Sequence, residues 1–289
     1  MSNNNLLEEA GEYTIDGSQS AKIRFYSNRN AIELIKNERM SLARFGDGEF
    51  RWMIGDDSVP SFQVGSSQMT ECLKKTFDSH CPNLLIGIPR VWFERKGLEW
   101  PAWKFHFIFS HKYRKEISSL VKPDTCYVDS MISRPYMDYR KNIDFLPRFK
   151  QVQDIWSGRD VVIVEGASTR FGVGNDLLDN ARTVKRIICP SENAFQRYDA
   201  ILETTMECAT KSDLLLTCLG PAATVLSGDL AMEGFQAVDI GHFDIEYEWL
   251  LKKARKKSPV YGKYTNEAGY KGTDEITDDR YRNSIVAKL

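Results

Sequence analysis

Among the six cysteines of this 289-residue chain, no two stand at C-x-x-C spacing. That excludes a zinc ribbon and a redox dithiol. Cysteines inside runs such as RIICP and LLLTCLG read instead as reduced core residues of a cytoplasmic protein, with no zinc site. Charge of one sign is lacking too. A formal net charge of −1 argues against holding nucleic acid through bulk charge, though not against a local basic pocket for a small anion. No apolar run approaches the roughly 20 residues that span a bilayer, so no transmembrane segment is predicted. MSNNNLLEEAGEY has no basic stretch followed by an apolar core, so no signal peptide is predicted either. Repeats, low-complexity tracts and Gly/Ser linkers are absent. What remains is ordinary: 42% hydrophobic and 27% charged residues, enough for a large core in one or two domains.

The C-terminal half alternates between two kinds of segment. DVVIVEG (160–166), TVKRIICP (183–190), DLLLTCLG (213–220) and FQAVDIG (235–241) are short apolar runs stopped by Gly or Pro, as buried parallel strands should be. Between them NDLLDNAR, SENAFQRYDAILETTMECATK and PAATVLSGDLAME have helical spacing. Ser191 is a candidate N-cap and Pro221 suits a first turn. DIEYEWLLKKARKK closes the series with its basic residues toward the C-terminus, where the helix dipole favours them. This rhythm predicts right-handed crossovers and an α/β fold: a Rossmann-like, mostly parallel sheet with helices on both faces. The N-terminal half is similar in kind. AIELIKNE reads as helix; MSLARFG, NLLIGIP (83–89) and TCYVDSMI (125–132) read as strands, and the aromatic stretch from Trp92 to Tyr113 as helix. The chain divides into an N-terminal extension (1–24), a main domain (25–255) whose half from 158 to 255 is Rossmann-like, and a polar, irregular extension (256–289).

Ligands of open parallel sheets bind beyond the carboxyl ends of the strands. ASTRFGVGN after the run at 160–166 supplies Thr169, Arg170, Gly172 and Gly174 before a predicted helix, a setting that suits an anion but equally a plain loop. PSEN supplies Ser191 and Asn193, with a helix cap as the competing reading. GPAAT supplies Gly220 and Thr224, or mere strand–helix packing. HFDIEYEW holds His242, Asp244, Glu246 and Glu248. Extended backbone would turn His242, Asp244 and Glu246 to one side, whereas a helix would pair Asp244 with Glu248. One of these carboxylates is a candidate general base; the alternative is an N-cap with dipole-favoured acids. His80, His106 and His111 have no acidic or cysteine partners at ligand spacing and read as structural or surface residues. In SLARFGDGEF, Asp47 and Glu49 flank Gly48. An extended triplet would aim both carboxylates at one divalent ion, Mg²⁺ or Mn²⁺. Gly46 and Gly48 would leave room for a diphosphate and Arg44 would pair with its oxygens. An Asp-Gly hairpin turn is the alternative. Trp92, Trp100 and Trp103 offer sugar-stacking surfaces, or core packing.

ARFGDGEF, VEGASTRFGVGNDLL, PSENAF, LGPAATVLSGDLA, VDIGHFDIEYEW and GKYTNE occur in that order. Together they resemble the bacterial GT-D glycosyltransferase family, once described as a domain of unknown function, DUF1792, over about residues 25 to 270. The resemblance implies a Rossmann-like nucleotide-binding fold and metal-dependent transfer of a sugar, typically glucose, from a UDP-sugar. It implies a glycan or glycoprotein acceptor of the bacterial surface, with Asp47 and Glu49 as the family's D-x-E metal motif. Two other classes stay open: a non-catalytic nucleotide-sugar-binding module and a nucleotide-sugar hydrolase. Homo-oligomerisation is likewise left open.

Overall fold

The computed structural model describes residues 11–14, 22–56, 63–123, 125–273 and 278–289; the reading of the first ten residues lies outside them. Ten strands form a sheet: β1 (Gly11–Thr14), β2 (Lys22–Phe25), β3 (Ser41–Arg44), β4 (Leu84–Ile88), β5 (Cys126–Asp129), β6 (Asp160–Gly166), β7 (Thr183–Cys189), β8 (Leu214–Cys218), β9 (Gln236–Asp239) and β10 (Ile285–Lys288). Their order is β1-β2-β5-β4-β3-β9-β8-β6-β7-β10. Only β1–β2 pairs antiparallel; the other pairings are parallel. The seven runs expected as strands therefore all form, and all lie parallel.

Alternation along the strands splits the core in two. Val162 and Val164 pack on one face, with Phe50, Leu73, Phe109, Ile201 and Leu226. Val161 and Ile163 pack on the other, with Ile35, Phe149, Trp156, Phe243 and Trp249. The first face is covered by α2 (Asp47–Met53), α3 (Ser67–Phe77), α4 (Trp100–Lys112), α5 (Arg114–Leu120), α7 (Tyr198–Cys208) and α8 (Pro221–Met232). The second is covered by α1 (Asn28–Asn37), α6 (Leu146–Gln153) and α9 (Phe243–Leu251). A tenth helix, α10 (Asp279–Ser284), precedes β10.

Four local expectations fail, each for a physical reason. The Asp-Gly-Glu triplet is neither extended nor a hairpin: it opens α2. Gly46 takes extended backbone before it, and the Glu49 carboxylate accepts the Gly46 N–H at 2.8 Å. Acids in a first turn also favour the helix dipole. NDLLDNAR is a series of turns, because Asn175 and Asp176 spend their side chains on Asp244, Glu248 and Tyr247. Ser191 caps nothing; its Oγ accepts the Ser168 N–H at 3.3 Å, and α7 begins only at Tyr198 after a 3₁₀ turn at Ala194–Arg197. The helix at DIEYEW ends at Leu251, so the basic run follows it rather than completing it. Both chain ends, moreover, join the sheet: β1 lies at one edge, and β10 extends the other beside β7. The polar tail thus carries a helix and a strand.

Candidate active site

β3 and β9 are neighbours at the middle of the sheet, yet the chain leaves β3 toward β4 and β5 and reaches β9 from the side of β8 and β6. At such a reversal the loops beyond the carboxyl ends splay apart. A cleft of about 600 Å³ opens there, lined from the loops after β3, β4, β5, β6, β7, β8 and β9 and from the segment around 264–267.

Of the sequence candidates, Arg44, Gly46, Asp47, Gly48, Glu49, Trp92, Thr169, Ser191, Gly220 and His242 line this cleft. Arg44, however, is already committed. Its Nη2 lies 2.7 Å from Asp239 Oδ1, and its Nε donates to the Asp239 carbonyl at 2.8 Å. It ties β3 to β9 and its charge is balanced before any phosphate arrives. Gly241 makes this possible: at φ +48, a Cβ there would fall 2.0 Å from Arg44 Nη2. Thr224 supports the same joint, donating to the Arg44 carbonyl at 2.8 Å from full burial.

The remaining candidates lie outside the cleft lining. Arg170 is buried, and its guanidinium donates to the carbonyl of Gly262 at 2.7 Å and to that of Thr273. It clamps the C-terminal segment rather than facing a ligand. Gly172 and Gly174, at φ +71 and +79, serve the turns of the same loop. Asn193 takes left-handed backbone, and its Oδ1 accepts the Val64 N–H at 2.8 Å. On α9 the three carboxylates point elsewhere. Asp244 Oδ2 meets Lys263 Nζ at 2.7 Å and Glu248 Oε1 meets it at 3.3 Å, with Asn175 donating to both acids. This is the shared helical face, folded against a buried lysine. Glu246 accepts the Tyr136 and Met137 N–H groups at 2.9 and 2.7 Å.

Burial pushes the Glu246 carboxyl up to about 7, against the pull of the Met137 N–H and of Arg134. A folded-state value above the unfolded one stabilises the protein fully below about pH 4.5 and is lost as pH rises through about 7. Glu246→Gln is therefore expected to gain on wild type between pH 5 and 8, by about 1 to 3 kcal/mol at roughly 1.4 kcal/mol per unit. Urea denaturation of both proteins across that range checks it; parallel curves would contradict the assignment.

Several cleft residues were not singled out from the sequence. His106, read as structural or surface, lies buried on α4 and lines the cleft with Nδ1 unpartnered, and burial lowers its pKa. Arg134 and Glu267 form an ion pair at 2.8 Å, and His242 joins it, Nε2 to Glu267 at 3.3 Å and Nδ1 to Arg134 at 3.2 Å. Burial opposes charge on Glu267, but His242 and Arg134 outweigh it and hold its carboxyl well below the usual range. Burial likewise opposes the Arg134 charge, and Glu267 and Glu246 more than offset it. Neither Glu267 oxygen makes an aligned hydrogen bond, so close charges leave its lone pairs open. Glu267 closes the GKYTNE run, the one signal in the sequence that could have marked it.

Asp47 and Glu49 supply hard oxygen donors to the same cleft. Glu49 spends one oxygen on Gly46, and burial pushes it up to about 7. Among the described residues no third acid, histidine or cysteine completes a metal cluster. Both carboxylates are hard oxygen donors of the kind Mg²⁺ takes, but in the first turn of α2 they are not aimed at one point as an extended triplet would aim them.

An open, mostly parallel sheet with a cleft beyond its carboxyl edge at the strand reversal defines a Rossmann-like α/β protein. The chain belongs to the glycosyltransferase GT-D fold family, whose profile matches residues 42–268. It is 36% identical over 263 residues to Glycosyltransferase GlyD of Streptococcus pneumoniae serotype 4, covering 89% of this chain and 31% of that protein. It is 35% identical over 276 residues to the Probable glycosyl transferase Gly of Streptococcus gordonii, covering 94% and 39%. The chain thus spans about a third of the length of these curated relatives. Among solved structures it superposes on the highly conserved domain of unknown function 1792, described as having a distinct glycosyltransferase fold. The TM-score there is 0.82 at 34% identity, over 92% of this chain and 95% of that one. A further glycosyltransferase (DUF1792), from Streptococcus sanguinis, matches with TM-score 0.83 at 33% identity over 92% and 99%.

Proposed function

We propose that this protein transfers a sugar, glucose in the first instance, from a UDP-sugar to a glycan or glycoprotein acceptor of a bacterial surface. What supports this most is that one cleft, in a chain of this family, is lined by Asp47 and Glu49 together with Glu267, Arg134 and His242. The diphosphate would lie at the Gly220–Pro221 turn. There the N-terminus of the 12-residue α8, where Pro221 has no N–H and the Ala223 N–H bonds Gly220, offers the positive end of its dipole to an anion. Thr169 and Ser191 flank that position as hydroxyl donors. Asp47 and Glu49 would hold Mn²⁺ or Mg²⁺, which when bound supplies charge neutralisation for the departing diphosphate.

Arg134 Nη2 lies 3.2 Å from His242 Nδ1, and His242 Nε2 lies 3.3 Å from Glu267. Of these three groups Glu267 is the carboxylate, and the proton is assigned to it. An acceptor hydroxyl beside it would lose its proton to the carboxylate as its oxygen bonds to the sugar carbon and UDP departs. Arg134 and His242 keep the carboxylate ionised until then.

Incubation with a panel of UDP-sugars and Mn²⁺, with and without glycan acceptors, tests the reading. Acceptor-dependent release of UDP is expected. Release to water alone would favour a hydrolase, and binding without turnover a sugar-binding module. Titration calorimetry should also find UDP affinity at least about tenfold weaker in EDTA, a loss of roughly 1.4 kcal/mol. Unchanged affinity would remove the metal from the scheme.

A further inference from the structure

Helix α4, WPAWKFHFIFSHK, has apolar and aromatic residues spread around its circumference rather than in one stripe, as a helix enclosed on more than one side would. Only one side is enclosed. His106 and Phe109 are buried toward the core, and Pro101, Ala102 and Phe105 face the cleft. On the opposite side Trp100 is 68% exposed, Ile108 53% and Phe107 42%. There Trp100, Trp103 and Phe107 stack in succession, with centroids 5.3 and 5.1 Å apart and planes within 8°. His111 continues the ladder. The Arg95 guanidinium lies 5.9 Å from the Trp103 ring and 5.5 Å from that of Phe107.

We infer that this face seats the protein on an anionic lipid surface. Between residues 94 and 116 stand six basic residues, Arg95, Lys96, Lys104, Lys112, Arg114 and Lys115, against three acids, Glu94, Glu99 and Glu116, of which Glu94 pairs with Lys96 at 2.6 Å. The whole chain, by contrast, carries −1. Aromatic residues amid lysine and arginine are the composition of an interfacial helix, apolar side in the headgroup boundary and cations at the phosphates. Two other occupants fit less well. A sugar packs on an open ring face, but these rings lie against one another and against Arg95. A second copy across a two-fold axis would set the basic group against itself. The cleft shares α4 through its other side, so lipid docking would hold the cleft close to acceptors carried on the membrane.

Flotation of the full chain with vesicles tests this. It should float with equal parts phosphatidylcholine and phosphatidylglycerol, less at high salt, and not with phosphatidylcholine alone. Trp100→Ser/Phe107→Ser and Lys104→Glu/Lys115→Glu should each weaken partitioning about tenfold or more, since each basic residue near such a surface counts appreciably. Their melting temperature and UDP binding should stay at wild-type values. Absent flotation, equal flotation on neutral vesicles, or variants that float like wild type would overturn the inference. So would a wild-type dimer in sedimentation velocity that the aromatic variant returns to monomer, or glycan-column retention that the variants lose.

Discussion

Glu267→Gln is expected to lower kcat by about 10²- to 10⁴-fold, the range in which a general base contributes, while UDP affinity stays within a few-fold of wild type. The amide keeps the size of the side chain, so a collapse in rate would report the lost charge. Removing a group that acts mainly in the transition state lowers kcat and kcat/KM together. The variant does lose the ion pair with Arg134 and the contact with His242. Its melting temperature and UDP titration must therefore be read beside its rate. Asp47→Asn sets the contrast: a residue on the diphosphate side should weaken donor binding and turnover alike. If Glu267→Gln turns over within a few-fold of wild type, the proton leaves by another route, or transfer proceeds with retention and needs no protein base.

The sheet was legible because parallel strands buried on both faces read as unbroken apolar runs ended by Gly or Pro. VVIV, LLLT and RIIC admit little else. The site was legible only as a neighbourhood. Asp47, Glu49 and Gly220 follow strands that can be counted, so the edge they occupy could be foreseen. What individual side chains do there depends on partners distant in sequence. Arg170 reads as a phosphate ligand beside two glycines, until Gly262 and Thr273 return to it from 92 and 103 residues away. Arg44 meets Asp239 across 195 residues. The acids of α9 are ambiguous locally, since both a base and a dipole-favoured first turn require carboxylates after a strand. Lys263 settles two of them, and the Tyr136 and Met137 amides settle the third. Glu267 sits in a polar stretch with no periodicity to mark it. It becomes a site residue because the segment from Val260 to Thr273 folds back over the sheet edge.

That segment is held by more than one clamp, and Lys263→Met is expected to release the strongest. Tyr264 N–H donates to the Ser168 carbonyl at 2.7 Å, Thr265 and Tyr270 bond each other's backbone, and Arg170 reaches Gly262. Lys263 is the clamp that is ionic and buried, 4% exposed. Methionine fills its volume but leaves Asp244 and Glu248 together without their shared cation; only Lys252, at 3.3 Å from Glu248 and half-exposed, would remain. Breaking a buried pair by removing one partner costs about 3 to 5 kcal/mol. Chemical denaturation should show a loss of that size, and thermal unfolding a drop on the order of 10 °C. Because Glu267 rides four residues beyond Lys263, kcat should fall as well, although Lys263 touches no part of the cleft. Asp244→Asn/Glu248→Gln in the Lys263→Met background should recover most of the stability, since replacing a whole buried ionic group can be close to neutral. A Lys263→Met protein of wild-type stability would mean that the cluster is solvated. One of wild-type activity would mean that the fold-back segment, and Glu267 with it, is held in place without this lysine.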